Sequence, residues 1–261
     1  MMRFGNVKQR RRVAIAMASC LVAATVVAAC GGDDDSGAPS TSLPQGSDPV
    51  DLDPAEFTTE IDNPYWPMAP GSRWVYRETD TEGTVQRVVV TVTDQTRAIA
   101  NGIEARVVHD VVTEDGEPVE VTDDWYAQDS TGNIWYLGED TTEYENGRPT
   151  TTAGSFEAGV DGAQPGIILP ADPEPGQTYR QEYYAGEAED LAKVTAEDAS
   201  ESVPFGDFDD LLVIQEWNPL EPEVTEDKYF APGVGTVLEV KTAGGEGRIE
   251  LVEFTPAPAQ G

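Results

Sequence analysis

Between residue 73 and residue 254 apolar side chains return at every second position, and this period of two constrains the fold more than any other feature of the chain. The segments 73–79, 84–94, 103–113, 118–128, 133–138, 179–185, 211–217, 227–231, 236–242 and 248–254 are rich in Val, Ile, Thr, Tyr and Trp, and Gly, Asp, Asn or Pro separate them. Helical periodicity is weak. Residues 187–193 are the best short helix candidate, and the edge of a strand fits them equally well. Closely spaced strands joined by short turns make an antiparallel meander rather than parallel crossover units. A sheet of about ten strands curls or closes. The expectation is an all-β domain, one antiparallel meander curled into a barrel or half-barrel, with a β-sandwich as the alternative.

Charge narrows the partners. The chain of 261 residues has 16 Lys and Arg against 49 Asp and Glu, a formal net charge of −33. Five of the basic residues precede Val13, and without them the remainder stands at 11 against 49. So acidic a domain repels phosphate backbones, and nucleic acid is excluded as a partner. Two cysteines and one histidine are too few for a Cys/His zinc site or a disulfide framework.

Residues 1–29 have the plan of an export signal. A basic stretch ends in Arg10, Arg11 and Arg12, and an apolar stretch of 17 residues, 13–29, follows. Val27, Ala28, Ala29 and Cys30 then meet a polar run from Gly31 to Ser36. This resembles the bacterial lipobox, which implies cleavage before Cys30 and diacylation of its thiol, as with palmitate. Two acyl chains anchor a protein stably to a membrane. A second match ends at Cys20 but has a short apolar stretch before it. An ordinary secreted protein cut after an alanine is the plainer alternative. Arg11 and Arg12 stand together as in a twin-arginine signal, although their flanks fit poorly. Residues 30–55 hold Gly, Asp, Ser, Pro and Thr with little to bury, and are expected to form an acidic disordered tether reaching about 25–29 Å. The domain is placed at 56–254, and 255–261 as a frayed tail.

One hairpin can be written residue by residue. Asp115 and Gly116 form a strong type I′ turn signal. Pairing Glu114 with Glu117 and continuing without a break opposes His109 to Thr122 and Arg106 to Trp125. Arg106 then meets Asp123 diagonally, and His109 meets Asp124.

Candidate chemistry follows from these placements. His109 with Asp124 is half of a base-and-orienter pair, but no nucleophile stands in a recognisable context, since Gly154, Ser155 and Phe156 do not make a nucleophile elbow. Paired carboxylates with Trp125, Tyr126, Trp135 and Tyr136 nearby would suit a hydrolase acting on sugars, although some acid pair always meets a distance criterion in so acidic a chain. The same aromatics are equally core residues of a sheet. Asp129, Glu139 and Asp140 supply hard oxygens suited to calcium, without the spacing of an EF-hand. Two Pro- and Gly-rich stretches, 62–71 and 154–175, are candidates for the mouth of a ligand cavity, with Tyr65, Trp66, Ile167, Ile168 and Leu169 as lining. The second is also readable as one buried strand.

The stretches 62–67, 125–129 with 132–139, 158–166 and 229–235 resemble an uncharacterised group of exported bacterial β proteins over most of the domain. The resemblance implies no activity. Residues 229–235 also resemble the strand-turn-strand ending of envelope β proteins, half-barrel lipid carriers among them. The reading that joins these observations is a membrane-anchored binding or carrier module for an apolar or amphipathic ligand. A carboxylate-dependent hydrolase and an envelope scaffold that holds a partner protein are the alternatives.

Overall fold

A computed structural model of the protein describes residues 43–258. The signal segment, Cys30 and the first part of the expected tether lie outside the described residues. The sixteen strands are β1 (Phe57–Thr58), β2 (Arg73–Thr79), β3 (Val85–Ala98), β4 (Glu104–Glu114), β5 (Glu117–Asp129), β6 (Ile134–Glu145), β7 (Arg148–Thr151), β8 (Phe156–Glu157), β9 (Gln164–Leu169), β10 (Thr178–Arg180), β11 (Glu182–Tyr183), β12 (Leu191–Val203), β13 (Gly206–Trp217), β14 (Thr225–Ala231), β15 (Gly235–Ala243) and β16 (Arg248–Thr255). They form one antiparallel sheet that curls into a nearly closed barrel; thirteen run in the order β10-β12-β13-β14-β15-β16-β2-β3-β4-β5-β6-β9-β11, while β1 pairs with β5 and β7 and β8 pair with β6. Two meanders, β2–β6 and β12–β16, make the two walls. The pairing of β16 with β2, from Arg248 opposite Thr79 to Thr255 opposite Arg73, joins them.

The second seam is made by one segment. Residues 178–183 pair first with β12 and then, beyond Gln181, with β9, so β10 and β11 are two halves of a strand that changes neighbours. Gly166 of β9 makes the approach possible, since a Cβ there would collide with the backbone of Arg180 and Gln181. Arg180, fully buried, fastens the seam: its guanidinium donates to the carbonyls of Pro165, Gly46 and Asp48. The Arg180 amide also donates to Pro44. The described end of the expected tether, residues 43–52, therefore lies against the barrel, with Leu43, Val50 and Leu52 packed on its core.

The period of two carries through to the interior. In β3, Gln86, Val88, Val90 and Val92 point inward and are buried, and their neighbours are not. A strap over residues 59–72 crosses one end of the barrel and drops Ile61, Trp66 and Met68 into the core. Met68 alone contributes about 1.5–3 kcal/mol of apolar burial. The strap is held by hydrogen bonds from Met68 to Ile61, from Gly233 to Pro64 and from Gly71 to Val92.

Two local alternatives resolve as strands, and one expected register is corrected. Residues 187–193 are a turn followed by the start of β12, a strand of 13 residues. The stretch 154–175 contains the buried strand β9, in which Pro165 to Leu169 are all covered. The hairpin turn forms as read, with positive φ at Asp115 (51°) and Gly116 (87°). Its register does not run on unbroken. Thr113 faces Pro118, but Val112 faces Glu120, so Val119 is an extra residue. Pro118 has no N–H for the ladder, and the pairing resumes one residue late. From there on every side chain of β5 is on the face opposite to the one expected.

Gly166→Ala is expected to destabilise the protein by about 2–3 kcal/mol, because backbone on the other side of the seam must move. Gly206→Ala, with open space around the new methyl, is the control and should leave the urea midpoint in place. Equal midpoints for the two variants would contradict the close approach.

Candidate functional site

The slip at Val119 decides what the barrel contains. It aligns Val108, Asp110 and Val112 of β4 with Asp124, Thr122 and Glu120 of β5, and Asp124 in turn with Glu139 of β6. Glu78 of β2 and Gln86 of β3 continue the same inward face. One wall is thus lined by Glu78, Asp110, Glu120, Asp124 and Glu139. The outward face receives His109 and Asp123 instead, 2.6 Å apart and half exposed. His109 therefore meets Asp123, not Asp124, because the bulge turns Asp124 into the barrel. Arg106 does not meet Asp123 either. Its guanidinium reaches the carbonyls of Thr59, Thr93 and Gln95.

Within the acidic wall the Tyr136 hydroxyl lies 2.7 Å from both Asp124 Oδ1 and Glu139 Oε2. A phenol has one hydrogen to give and serves one of the two at a time. Tyr126 stacks on Tyr136 with ring centroids 5.1 Å apart. Burial pushes the Asp110 carboxyl well above its ordinary range, and the neighbouring Asp124 adds to the shift. Burial, then the charge of Glu139, lifts Glu120 to about 7. The Asp110 Oδ1 atom has no hydrogen-bond partner.

The facing wall holds the cation Lys228. It pairs with Glu216 at 2.6 Å and with Glu239 at 3.5 Å, all three inward-facing on adjacent strands. Burial acts to lower the Lys228 ammonium, but Glu216 and Glu239 outweigh it and hold the pKa above its ordinary value. Gln181 donates to Glu216 at 2.7 Å. Glu226, desolvated and beside Glu239, is pushed up to about 9.

Where this wall meets the strap there is a cavity of about 20 Å3, lined by Trp66, Ile168, Glu216, Lys228, Phe230, Thr236 and Glu239. Trp66 caps it, 5.7 Å from Tyr126 and 5.8 Å from Phe230 between ring centroids. The Trp66 ring lies against Gly235, at φ 101°, where a Cβ would strike it. Trp66 Nε1 has no hydrogen-bond partner. The cavity thus offers one free donor, beside an apolar edge of Ile168 and Phe230.

Of the residues nominated from sequence, Trp66 and Ile168 come together here. Ile167 and Leu169 are buried in β9 without lining the cavity. Tyr65 is half-buried at the edge of the strap, its backbone amide bonded to Asn63 Oδ1. Asn63 also donates to the carbonyl of Pro170, which ties the two nominated stretches together. Asp129 is not grouped with Glu139 and Asp140. Its oxygens accept from Thr131, Asn133 and Trp135, whereas Glu139 faces inward and Asp140 is exposed. Among the described residues there is no group of three or more His, Cys, Asp or Glu side chains arranged to hold a metal ion. The aromatics are sheet residues: Trp135 is tied to Asp129, and Trp125 lies 3.9 Å beneath the Arg97 guanidinium.

The sequence reading passed over Glu216, Lys228 and Glu239. Their signal was present, because each falls in the inward register of an apolar strand, as Lys228 does two residues before Phe230. Reading it requires the register of three neighbouring strands at once.

No family model matches the chain, and no curated protein is similar to it. Three solved structures align with it. A Bacteroides fragilis protein described as exported, with a YmcC-like fold, is 14% identical with a TM-score of 0.45, over 74% of this chain and 99% of its own. A Parabacteroides distasonis protein described as a lipoprotein is 14% identical with a TM-score of 0.41, over 73% and 98%. A beta-barrel-like protein of a domain of unknown function from Brucella abortus is 12% identical with a TM-score of 0.35, over 72% and 98%. At these scores and identities none of the three bears on a function of this barrel.

Lys228→Met leaves Glu216 and Glu239 buried without their cation and is expected to cost about 3–5 kcal/mol, measured by chemical denaturation. The raised carboxyls have a second consequence. Each is more protonated in the folded chain than in the unfolded chain, so its contribution is complete below about pH 4.5 and is lost as pH rises, through about 7 for Glu120 and about 9 for Glu226. The unfolding temperature is expected to decline between about pH 5 and 9, and Glu120→Gln with Glu226→Gln should flatten that decline. An unchanged slope in the double variant would contradict it.

Proposed function

We propose that the protein is an extracytoplasmic lipoprotein, anchored through Cys30, whose barrel is a binding module for an amphipathic ligand. The observation that carries the reading is the cavity under Trp66, where the unpartnered Trp66 Nε1 and the charged side chains of Glu216 and Lys228 sit beside Ile168 and Phe230. Buried polar groups are rarely left without partners, and small-ligand sites place a few such groups on an apolar lining. The presence of Glu216, Lys228 and Glu239 there moves the ligand from a purely apolar one to one with polar atoms of its own. At about 20 Å3 the closed cavity has room for water only, so a ligand enters by displacing the Trp66 end of the strap.

Anchoring rests on the sequence around Cys30. Among the described residues no helix is long and apolar enough to cross a membrane. The hydrolase alternative draws on Asp124 and Glu139, which converge on Tyr136, but both carboxyls are nearly inaccessible, 3% and 5% exposed. The binding reading needs less rearrangement.

Native mass spectrometry of the mature protein purified from its own host tests the proposal. The expected result is a reproducible mass excess that denaturation removes. Trp66→Phe keeps the ring and deletes the unpartnered N–H, and should lower ligand retention about 5–10-fold with little change in unfolding temperature. A bare mass that persists after incubation with a lipid extract would sink the binding role. For the anchor, Cys30→Ser should move the protein from the membrane fraction to the soluble fraction and abolish labelling by palmitate; label retained in that variant would refute it.

A further inference from the structure

We infer that the ligand carries a cationic, ammonium-type head group, which the acidic wall of the barrel receives. The inference rests on the binding role proposed above and names its chemical class. The decisive residue is Asp110. It is 7% exposed, faces inward between Val90 and Thr122, and its Oδ1 has no hydrogen-bond partner. The charges that act on it from the neighbouring strands include those of Asp124, Glu120 and Glu78, all of its own sign. Among the described residues neither Asp110 nor Glu120 forms an ion pair with a lysine or arginine. The facing wall has its own cation, and there Lys228 is already held between Glu216 and Glu239.

A buried carboxyl without a counter-charge keeps its proton, and a cation that reaches it takes the place of that proton and gains an ion pair shielded from water. The aromatic surroundings fit the same class. Tyr126 and Tyr136 stack beside the carboxyls, and ring faces attract ammonium groups. An alkyl chain attached to such a head would extend toward Trp66, Ile168 and Phe230. An anionic head would be set against the carboxyls of Asp110 and Glu120.

The test uses residues 31–261, which retain every described residue, and isothermal titration with three dodecyl amphiphiles below their micelle concentrations. Dodecyltrimethylammonium is the cation, dodecyl maltoside the neutral probe and dodecanoate the anion, all in about 0.15 M salt so that exposed charges are screened. Dodecyltrimethylammonium should bind at least 10-fold more tightly than the maltoside, and dodecanoate least. Asp110→Asn should reduce that preference at least 5-fold while maltoside binding holds. Glu117→Gln, at an exposed position, should leave the preference intact. Equal binding of all three probes overturns the cationic head and leaves the binding role standing. Binding of none overturns both. A cationic preference that survives Asp110→Asn but falls with Glu117→Gln assigns it to surface charge and overturns the inference.

Discussion

One extra residue in one strand determines the chemistry of the interior. Because side chains alternate along a strand, the bulge at Val119 exchanges the two faces of β5 for the rest of its length. Without it the barrel would enclose Val121, Asp123 and Trp125. With it the barrel encloses Glu120, Thr122, Asp124 and Tyr126, opposite Thr141 and Glu139 of β6 and, past a second register shift, Tyr136. The acidic wall and the exposure of His109 derive from the bulge at Val119, and the second shift, between Tyr136 and Glu139 of β6, brings the Tyr136 hydroxyl to both carboxyls.

The interior is consequently divided in kind. Toward the strap it is aromatic, with Trp66, Trp74, Tyr126 and Phe230 packed among aliphatic residues. Farther along the same strands it is charged. Fold stability alone gives no reason for the charged part, since well-packed apolar residues of similar volume generally serve as well or better than buried ions. The three buried charges Glu216, Lys228 and Glu239 sit where the two parts meet.

The architecture was legible before the structure because it depends on local rules: period two along the strands, and Asp115 with Gly116 at a turn. What could not be read was non-local. β12 has few inward apolar residues at its far end and looked as much like a helix start as a strand. The β9 strand was readable as one buried strand, but its Gly- and Pro-rich stretch left a loop open as well, because Gly166 serves a close approach and not a turn. The site was half legible for the same reason. Trp66 and Ile168 stand out as large apolar residues in turn-like sequence, whereas Lys228 and Glu239 acquire meaning only when β14 and β15 are laid side by side.

Arg180 ties the chain entering the barrel to the seam that closes it. The carbonyls of Gly46 and Asp48 are bound by the same guanidinium that holds Pro165 of β9, and the Arg180 amide holds Pro44. Tension applied to the chain ahead of Leu43 is therefore borne first at this seam, not at a free linker. The barrel has a mechanical grip at its point of closure, and a pull from the N-terminal side loads the junction of β9, β10 and β11 before any other part of the sheet.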